Sequence, residues 1–441
     1  MTIKITNDLT QIDYPRYDSY IDSGVDWLGE IPEGWNTQKL KYVVSIKKRI
    51  IGHEGVDVLS ITQSGIKVKD ITTGGGQLSM DYSKYQIVHE GDFAMNHMDL
   101  LTGYVDISNH DGVVSPDYRV FINDSNDVDN EYLLKIFQMG YSQKIFFKYG
   151  QGVSMLGRWR LPADNFNNFL IPVPSLDEQN KIIAFLESKT TQIDQAITLK
   201  QQQIAKLEEY KQIVIQNAVT KGLNPDAPMK DSGVDWIGNI PEHWEVKKLK
   251  YISNVVLGKM ICNEDLGGMY LKPYLKSKNI QWLNVDITSV DKMWFTKREM
   301  QVYRLKKDDL ILSEGGEVGK TCIWDNELNE CYIQNSAHKV SFNSGYLPKY
   351  FLFQFFTLGK QGQFNKIVNR VSIGHLTKDK LINTDLITPP LEEQNLIVNY
   401  IKKIESTLLK NIDVHKQQID RLKEYKIILI NQAVTGKIKV S

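Results

Sequence analysis

The chain is 441 residues long, enough for two or more domains with cores of their own. Hydrophobic residues make up 41% and charged residues 24%, an ordinary balance for a soluble protein, and no run nears the ~18 apolar residues of a membrane span. Its 53 basic side chains are matched by 53 acidic ones, so no global basic field announces a nucleic-acid partner.

Residues 1–10 are polar and lack a secretory core. The first distinctive stretch is Asp22-Ser-Gly-Val-Asp-Trp27, which returns letter for letter as Asp231-Ser-Gly-Val-Asp-Trp236. Residues 22–42 and 231–251 share 15 of 21 positions at a constant offset of 209. Gly and Pro punctuate turns here, while Trp27, Trp35 and Leu40, repeated as Trp236, Trp244 and Leu249, supply apolar anchors. A first head follows, with 12 basic against 15 acidic side chains over residues 43–170. Its long polar side chains interleave with aromatics and glycine in one cluster, Lys144, Lys148, Gln151, Arg158 and Arg160, and thinly at Lys67 and Lys69.

Residues 176–220 read as one long helix of ~65 Å. Ser175 is placed to cap it and Glu178 to close the capping box, and Gly222 with Pro225 ends it. Heptad positions fall on Ile183, Leu186, Ile193, Ile197, Ile204, Leu207 and Val214. At an offset of 215, Leu176-Asp-Glu-Gln-Asn180 returns as Leu391-Glu-Glu-Gln-Asn395, and a second helix carries Val398, Ile401, Leu408, Ile412, Ile419, Leu422 and Leu429 up to Gly436. Polar seam sites coincide too: Thr190 with Glu405, Lys200 with His415, Lys211 with Lys426. Two matching seams in one chain predict an antiparallel pair, with the polar sites setting register.

Between the helices, residues 252–386 form a second head that barely matches the first and holds 18 basic against 14 acidic side chains. Its basic–polar cluster, Lys366, Asn369, Arg370 and His375, precedes the end of the head as the first cluster does, with Lys276 and Lys278 as secondary candidates. The three cysteines, Cys262, Cys322 and Cys331, lack Cys-x-x-Cys spacing, which argues against a zinc site or disulfides and makes a reducing cytoplasm the expected setting.

The doubled pattern Asp-Ser-Gly-Val-Asp-Trp-x-Gly-x-Ile-Pro-x-x-Trp, a variable region, Leu-x-Glu-Gln and a heptad helix resembles the specificity subunit of type I restriction–modification systems. The resemblance spans nearly the whole chain. It implies an α+β fold: two mixed α/β target-recognition domains joined by two long antiparallel coiled-coil helices, with an internal pseudo-twofold repeat. The boundaries are then 1–170 for the first recognition domain, 171–222 for the central spacer helix, 223–386 for the second domain and 387–441 for the C-terminal spacer helix. Each domain would read one half of a split double-stranded DNA site, and the helices would set the gap. The implied partners are two methyltransferase and two restriction/translocase subunits. S-adenosylmethionine, ATP and Mg2+ are expected on those partners and no cofactor on this chain. The clusters named above then become the candidate DNA readers, since base edges are read by polar side chains while phosphate contacts only position. The alternatives are a coiled-coil scaffold with protein-binding heads, and an orphan or regulatory specificity subunit without a nuclease.

Residues that could carry catalysis have plainer readings. Glu314-Gly-Gly-Glu-Val-Gly-Lys-Thr321 is one residue from a phosphate loop, but Glu314 would meet phosphate with a carboxylate and the following residues alternate like a strand. Thr388-Pro-Pro-Leu391 is a helix start and not a methyltransferase motif, Pro116-Asp117 lacks a nuclease partner, and the histidines show no ligand spacing. The expectation is a non-catalytic chain.

Overall fold

The computed structural model describes residues 14–71, 82–152, 159–367 and 375–440. Two compact units emerge, residues 1–200 with 416–441 and residues 201–415. Both long helices are continuous, Leu176–Lys221 and Leu391–Val434, and each contributes one half to each unit.

In unit 1 the central sheet is built from β1 (Val44–Lys47), β2 (Phe93–Met95), β3 (Val105–Ile107) and β4 (Arg119–Asn123), in the order β1-β4-β2-β3 and antiparallel throughout. Phe121 on β4 stands opposite Ile46 on one side and Phe93 on the other. The rings of Phe93, Phe121, Phe137 and Phe166 meet with centroids 5.0–6.1 Å apart, and Phe137 brings helix α1 (Asn130–Ser142) onto the sheet. Asp129 starts α1 by accepting from the N–H groups of Glu131 and Tyr132.

The repeated leading motif is a clamp. Strand Asn36–Lys39 pairs antiparallel with strand Leu170–Val173, stitching the start of the head to its end. Trp27 stacks on Phe169 at 5.4 Å, and Trp35 and Leu40 are buried, the packing role expected of them. The spacer helix begins directly after this strand. Ser175 Oγ accepts from Glu178 N–H at 3.3 Å, the predicted cap, but the Glu178 carboxylate takes the Tyr17 hydroxyl, where the sequence suggested a closed capping box. Fully buried Gln179 donates to the carbonyls of Asp127 and Pro174 and accepts from Asp129 N–H, tying the start of the spacer helix to the start of α1.

The second spacer helix supplies the rest of unit 1. Lys200 donates to Gln418 at 2.6 Å and Lys426 to Asp194 at 2.7 Å, so the two helix halves run antiparallel there. Tyr132 on α1 donates its hydroxyl to Val434 O at 2.9 Å, satisfying a carbonyl that the helix end leaves free. Gly436 ends the helix at φ +71°, and a Cβ there would sit 2.5 Å from Pro32, so the motif's close approach requires glycine.

Unit 2 repeats these devices, keeping the frame residues and filling the sheet with others. Its sheet contains β5 (Ser253–Leu257), β6 (Leu310–Ser313), β7 (Thr321–Ile323) and β8 (Ala337–Phe342) in the order β5-β8-β6-β7, the same topology. Strand Glu245–Lys248 pairs with Asp385–Thr388, and Gln394 accepts from Leu347 N–H at 2.8 Å, just before helix α3 (Pro348–Lys360). Tyr350 donates to Val219 O at 3.0 Å, and Gly222, at φ +76°, lies against Trp244. Lys211 and Glu405 pair across the two helices at 2.5 Å.

The predicted seam is largely buried. Leu186, Ile193, Val214, Val398, Ile401, Leu408, Ile412, Ile419, Leu422 and Leu429 are buried, and Ile183, Ile197, Ile204 and Leu207 half-buried. The rims of the two heads differ. Unit 1 adds a hairpin of strands Leu59–Thr62 and Gly65–Val68, whereas unit 2 adds strand Tyr270–Leu275, antiparallel to Asp291–Phe295 and parallel to Tyr332–Ile333.

Candidate nucleic-acid interface

The head-one cluster follows α1. Lys144 occupies a left-handed backbone conformation, φ +54°, and opens a four-residue turn of helix, α2 (Ile145–Lys148). A two-stranded ribbon comes next, with Gln151 directly opposite Arg160 and Gly152 opposite Trp159. Lys144, Lys148, Gln151 and Arg160 are all exposed, and the ring of Phe147 meets Trp159 at 4.7 Å beneath them. Arg158 lies outside the described residues. Lys67, exposed, and Lys69 sit at the separate rim hairpin, apart from this cluster in sequence and element.

The ribbon is pinned from below. Leu161 N–H donates to His97 O at 2.9 Å, and Leu161 O accepts from Arg119 Nη2 at 3.0 Å. Arg119 projects from the end of β4, is 5% exposed and lies 4.5 Å from the centroid of Phe166. Burial lowers its pKa to about 10. His97 is pushed down to about 3 by burial and then by the charges of Arg119 and Arg160, so it is neutral at pH 7.

Head two builds the same floor from other residues. His338 occupies the β8 position that Arg119 occupies on β4, and its Nε2 donates to Leu376 O at 2.7 Å. Leu376 N–H donates in turn to Glu314 O at 2.9 Å, so Glu314 stands where His97 does. Arg119 Nη1 and His338 Nδ1 are both buried without a partner among the described residues. His375, the residue before Leu376, corresponds to Arg160 and is exposed over the glycine loop, where a Cβ on Gly315 would lie 3.5 Å from its Nδ1. Lys366 is exposed on the short helix α4 (Gln363–Ile367), in the place of Lys148 on α2. Asn369 and Arg370 lie outside the described residues.

The loop that mimics a phosphate-binding motif connects β6 to β7, strand to strand, and so lacks the helix N-terminus such a site needs. Its Glu317 instead accepts from Trp282 Nε1 at 2.6 Å and pairs with Lys320 at 2.9 Å, while Lys360 lies 5.3 Å from the Trp282 ring centroid. Trp282, Glu317 and Lys360 thus form a polar–aromatic ledge that sequence reasoning missed, because Trp282 is far away in the chain and shows no pattern. Lys276 is paired with Asp291, and Lys278 donates to Ser289 at 3.1 Å, which leaves them less available than Lys366. Among the described residues no group of three or more His, Cys, Asp or Glu is placed to hold a metal, and no helix is long and apolar enough to cross a membrane.

Residues 32–209 and 241–427 each match the type I restriction modification DNA specificity domain. The chain belongs to that family. Among its relatives in this specificity family, a chain of Methanocaldococcus jannaschii named as the MjaX type I restriction enzyme specificity subunit is 24% identical, covering 94% of this chain and 96% of that protein. The type I restriction enzyme MjaVIII specificity subunit of the same organism is 27% identical over 62% of this chain and 63% of its own length. A chain from a solved type I R-M system superposes with a TM-score of 0.65 at 16% identity, covering 92% of this chain and 98% of that one. The doubled domain is therefore a property of the fold as well as of the sequence.

Proposed function

We propose that this chain supplies the DNA sequence specificity of a type I restriction–modification complex. Each head reads one half of a split, asymmetric site in double-stranded DNA, and the spacer helices set the gap and dock two methyltransferase subunits, with two restriction/translocase subunits joining them. The observation that carries this reading is the repeated floor, in which two heads of unlike sequence pin a polar, exposed segment at the same place on the same sheet. In head one the contacts are Lys144, Lys148, Gln151, Arg158 and Arg160, and in head two Lys366, Asn369, Arg370 and His375 with Trp282 beside them. Lys67, Lys69, Lys276 and Lys278 add phosphate contacts at the rims. Docking is supported by apolar side chains that the helices leave in solvent, among them Leu199, Tyr210, Ile213, Leu409 and Val414, each 47–59% exposed.

The chain itself performs no chemistry in this reading. S-adenosylmethionine, ATP and Mg2+ belong to the partner subunits, and the complex works in the cytoplasm. Co-expression with the genomic neighbours, followed by mapping of methylated adenines, tests it. A split motif with a fixed gap, lost when this chain is omitted, is the expected result, and assembly without any sequence-specific mark would refute it.

A further inference from the structure

Unit 2 contains a cavity of about 330 Å³ where the end of the first spacer helix meets the start of the second, lined among others by Gly222, Leu223, Pro241, His243, Glu393 and Leu396. Leu396 is 60% exposed beside it, and Tyr400, one helical turn further on, 40%. The matching place in unit 1 is filled. There Tyr17 donates its hydroxyl to Glu178, the counterpart of Glu393, and sets its ring edge-on to Trp35 at 5.9 Å. Tyr14 covers the next turn, its ring 5.2 Å from Phe185, the counterpart of Tyr400.

The reason for the difference is covalent. In unit 1 two chain segments run through this place, residues 14–19 and 437–440, and Lys439 N–H bonds Pro15 O at 2.7 Å. In unit 2 a single linker, residues 222–228, makes the connection; it brings Leu223, Asn224 and Ala227 to the cavity and no aromatic ring. Unit 2 thus keeps the acceptor and offers apolar walls from Leu223, Pro241 and Leu396, but lacks the ring. Glu393 accepts from His243 Nε2 at 2.6 Å and Trp244 Nε1 at 3.0 Å, and a carboxylate has capacity for a further donor.

We propose that this cavity binds a tyrosine side chain presented on an extended segment of a partner chain, its hydroxyl donating to Glu393 as Tyr17 donates to Glu178. The apolar walls select a ring, and the carboxylate selects a phenol over phenylalanine and repels acidic or phosphorylated ligands. The site stands independently of the DNA-reading assignment.

The test uses the full chain and the heptapeptide Tyr-Pro-Arg-Tyr-Asp-Ser-Tyr, copied from residues 14–20. Binding is followed by fluorescence anisotropy and by the indole N–H resonance of Trp244. The peptide is expected to shift that resonance, and replacing its second tyrosine by phenylalanine to weaken binding about tenfold. Ala227→Tyr, at a residue that lines the cavity, should occupy it from within and abolish binding, and Leu396→Glu should abolish it at a solvent-exposed position that the fold tolerates. An unmoved Trp244 resonance, or peptide bound equally well by wild type and both variants, would overturn the proposal.

Discussion

In unit 1 the carbonyl at the foot of the exposed segment is held by the guanidinium of Arg119, and in unit 2 by the imidazole of His338. The two donors share a register position on equivalent strands but differ in size, charge and reach. What the repeat preserves is a task, a buried donor rising from the central sheet to fix a loop, and not a residue. The frame behaves in the opposite way. There Gln179 and Gln394, Tyr132 and Tyr350 keep both identity and partner, and Trp35 and Trp244 keep identity and their packing against a helix-ending glycine. Frame residues that close each head onto its own helix ends have one fixed set of partners and tolerate little change, whereas a floor has only to support whichever surface its head presents.

The largest test of that comparison is truncation of the frame tryptophans. Trp244 is fully buried and Trp35 6% exposed, so Trp244→Ala should cost unit 2 about 3–5 kcal/mol and Trp35→Ala cost unit 1 somewhat less. Denaturant titration with hydrogen-exchange mass spectrometry on peptides of each unit separates the two, and losses spread evenly through both units would break the assignment of one tryptophan to each.

Acidification should distinguish the floors. His97 has its folded pKa lowered to about 3, so the unfolded chain takes up this proton first as pH falls below the ordinary value near 6.5. Stability present above pH 6.5 is therefore lost between pH 6.5 and 3, on the order of 2 kcal/mol by pH 5. At the matching position burial raises the Glu314 carboxyl, so protonation there favours the folded state, while His338, lowered by burial, acts like His97. His97→Asn is expected to flatten the acid loss of unit 1 alone, as read by hydrogen exchange between pH 7 and 5. An unchanged pH profile would remove His97 from the floor.

Smaller effects sharpen the frame. Tyr132→Phe and Tyr350→Phe each leave a helix-terminal carbonyl without its donor and should cost about 1 kcal/mol, equally in the two units. The ion pairs of the seam come last. Lys211–Glu405 is the more sheltered, so Glu405→Gln should destabilise more than Asp194→Asn, both within about 1 kcal/mol on denaturant titration.

The frame was legible because it occurs twice: the anchors, both helices and most of the seam residues could be read from the echoes. The polar seam sites were found, but their partners were not. Lys211 does meet Glu405, whereas Lys426 reaches Asp194, a residue one turn from the matching Thr190, because a long lysine selects the nearest carboxylate and not its symmetry mate. The shared central sheet was hidden. Phe93-Ala-Met95 and Leu310-Ile-Leu-Ser313 fill the same strand, and burial asks only for apolar volume there. The matching places of Lys148 with Lys366 and Arg160 with His375 were legible as clusters before the close of each head. Arg119, His338 and Trp282 were not, since only strand register and a distant hairpin bring them to the site.

The central claim is that the two heads read independently on a common frame. The most direct measurement is the map of methylated adenines made by the co-expressed complex when only Lys366 and His375 are exchanged for glutamine and alanine. The claim predicts relaxed or altered preference in one half of the split motif, with the other half and the gap unchanged. A change in both halves, or in the gap, would contradict it.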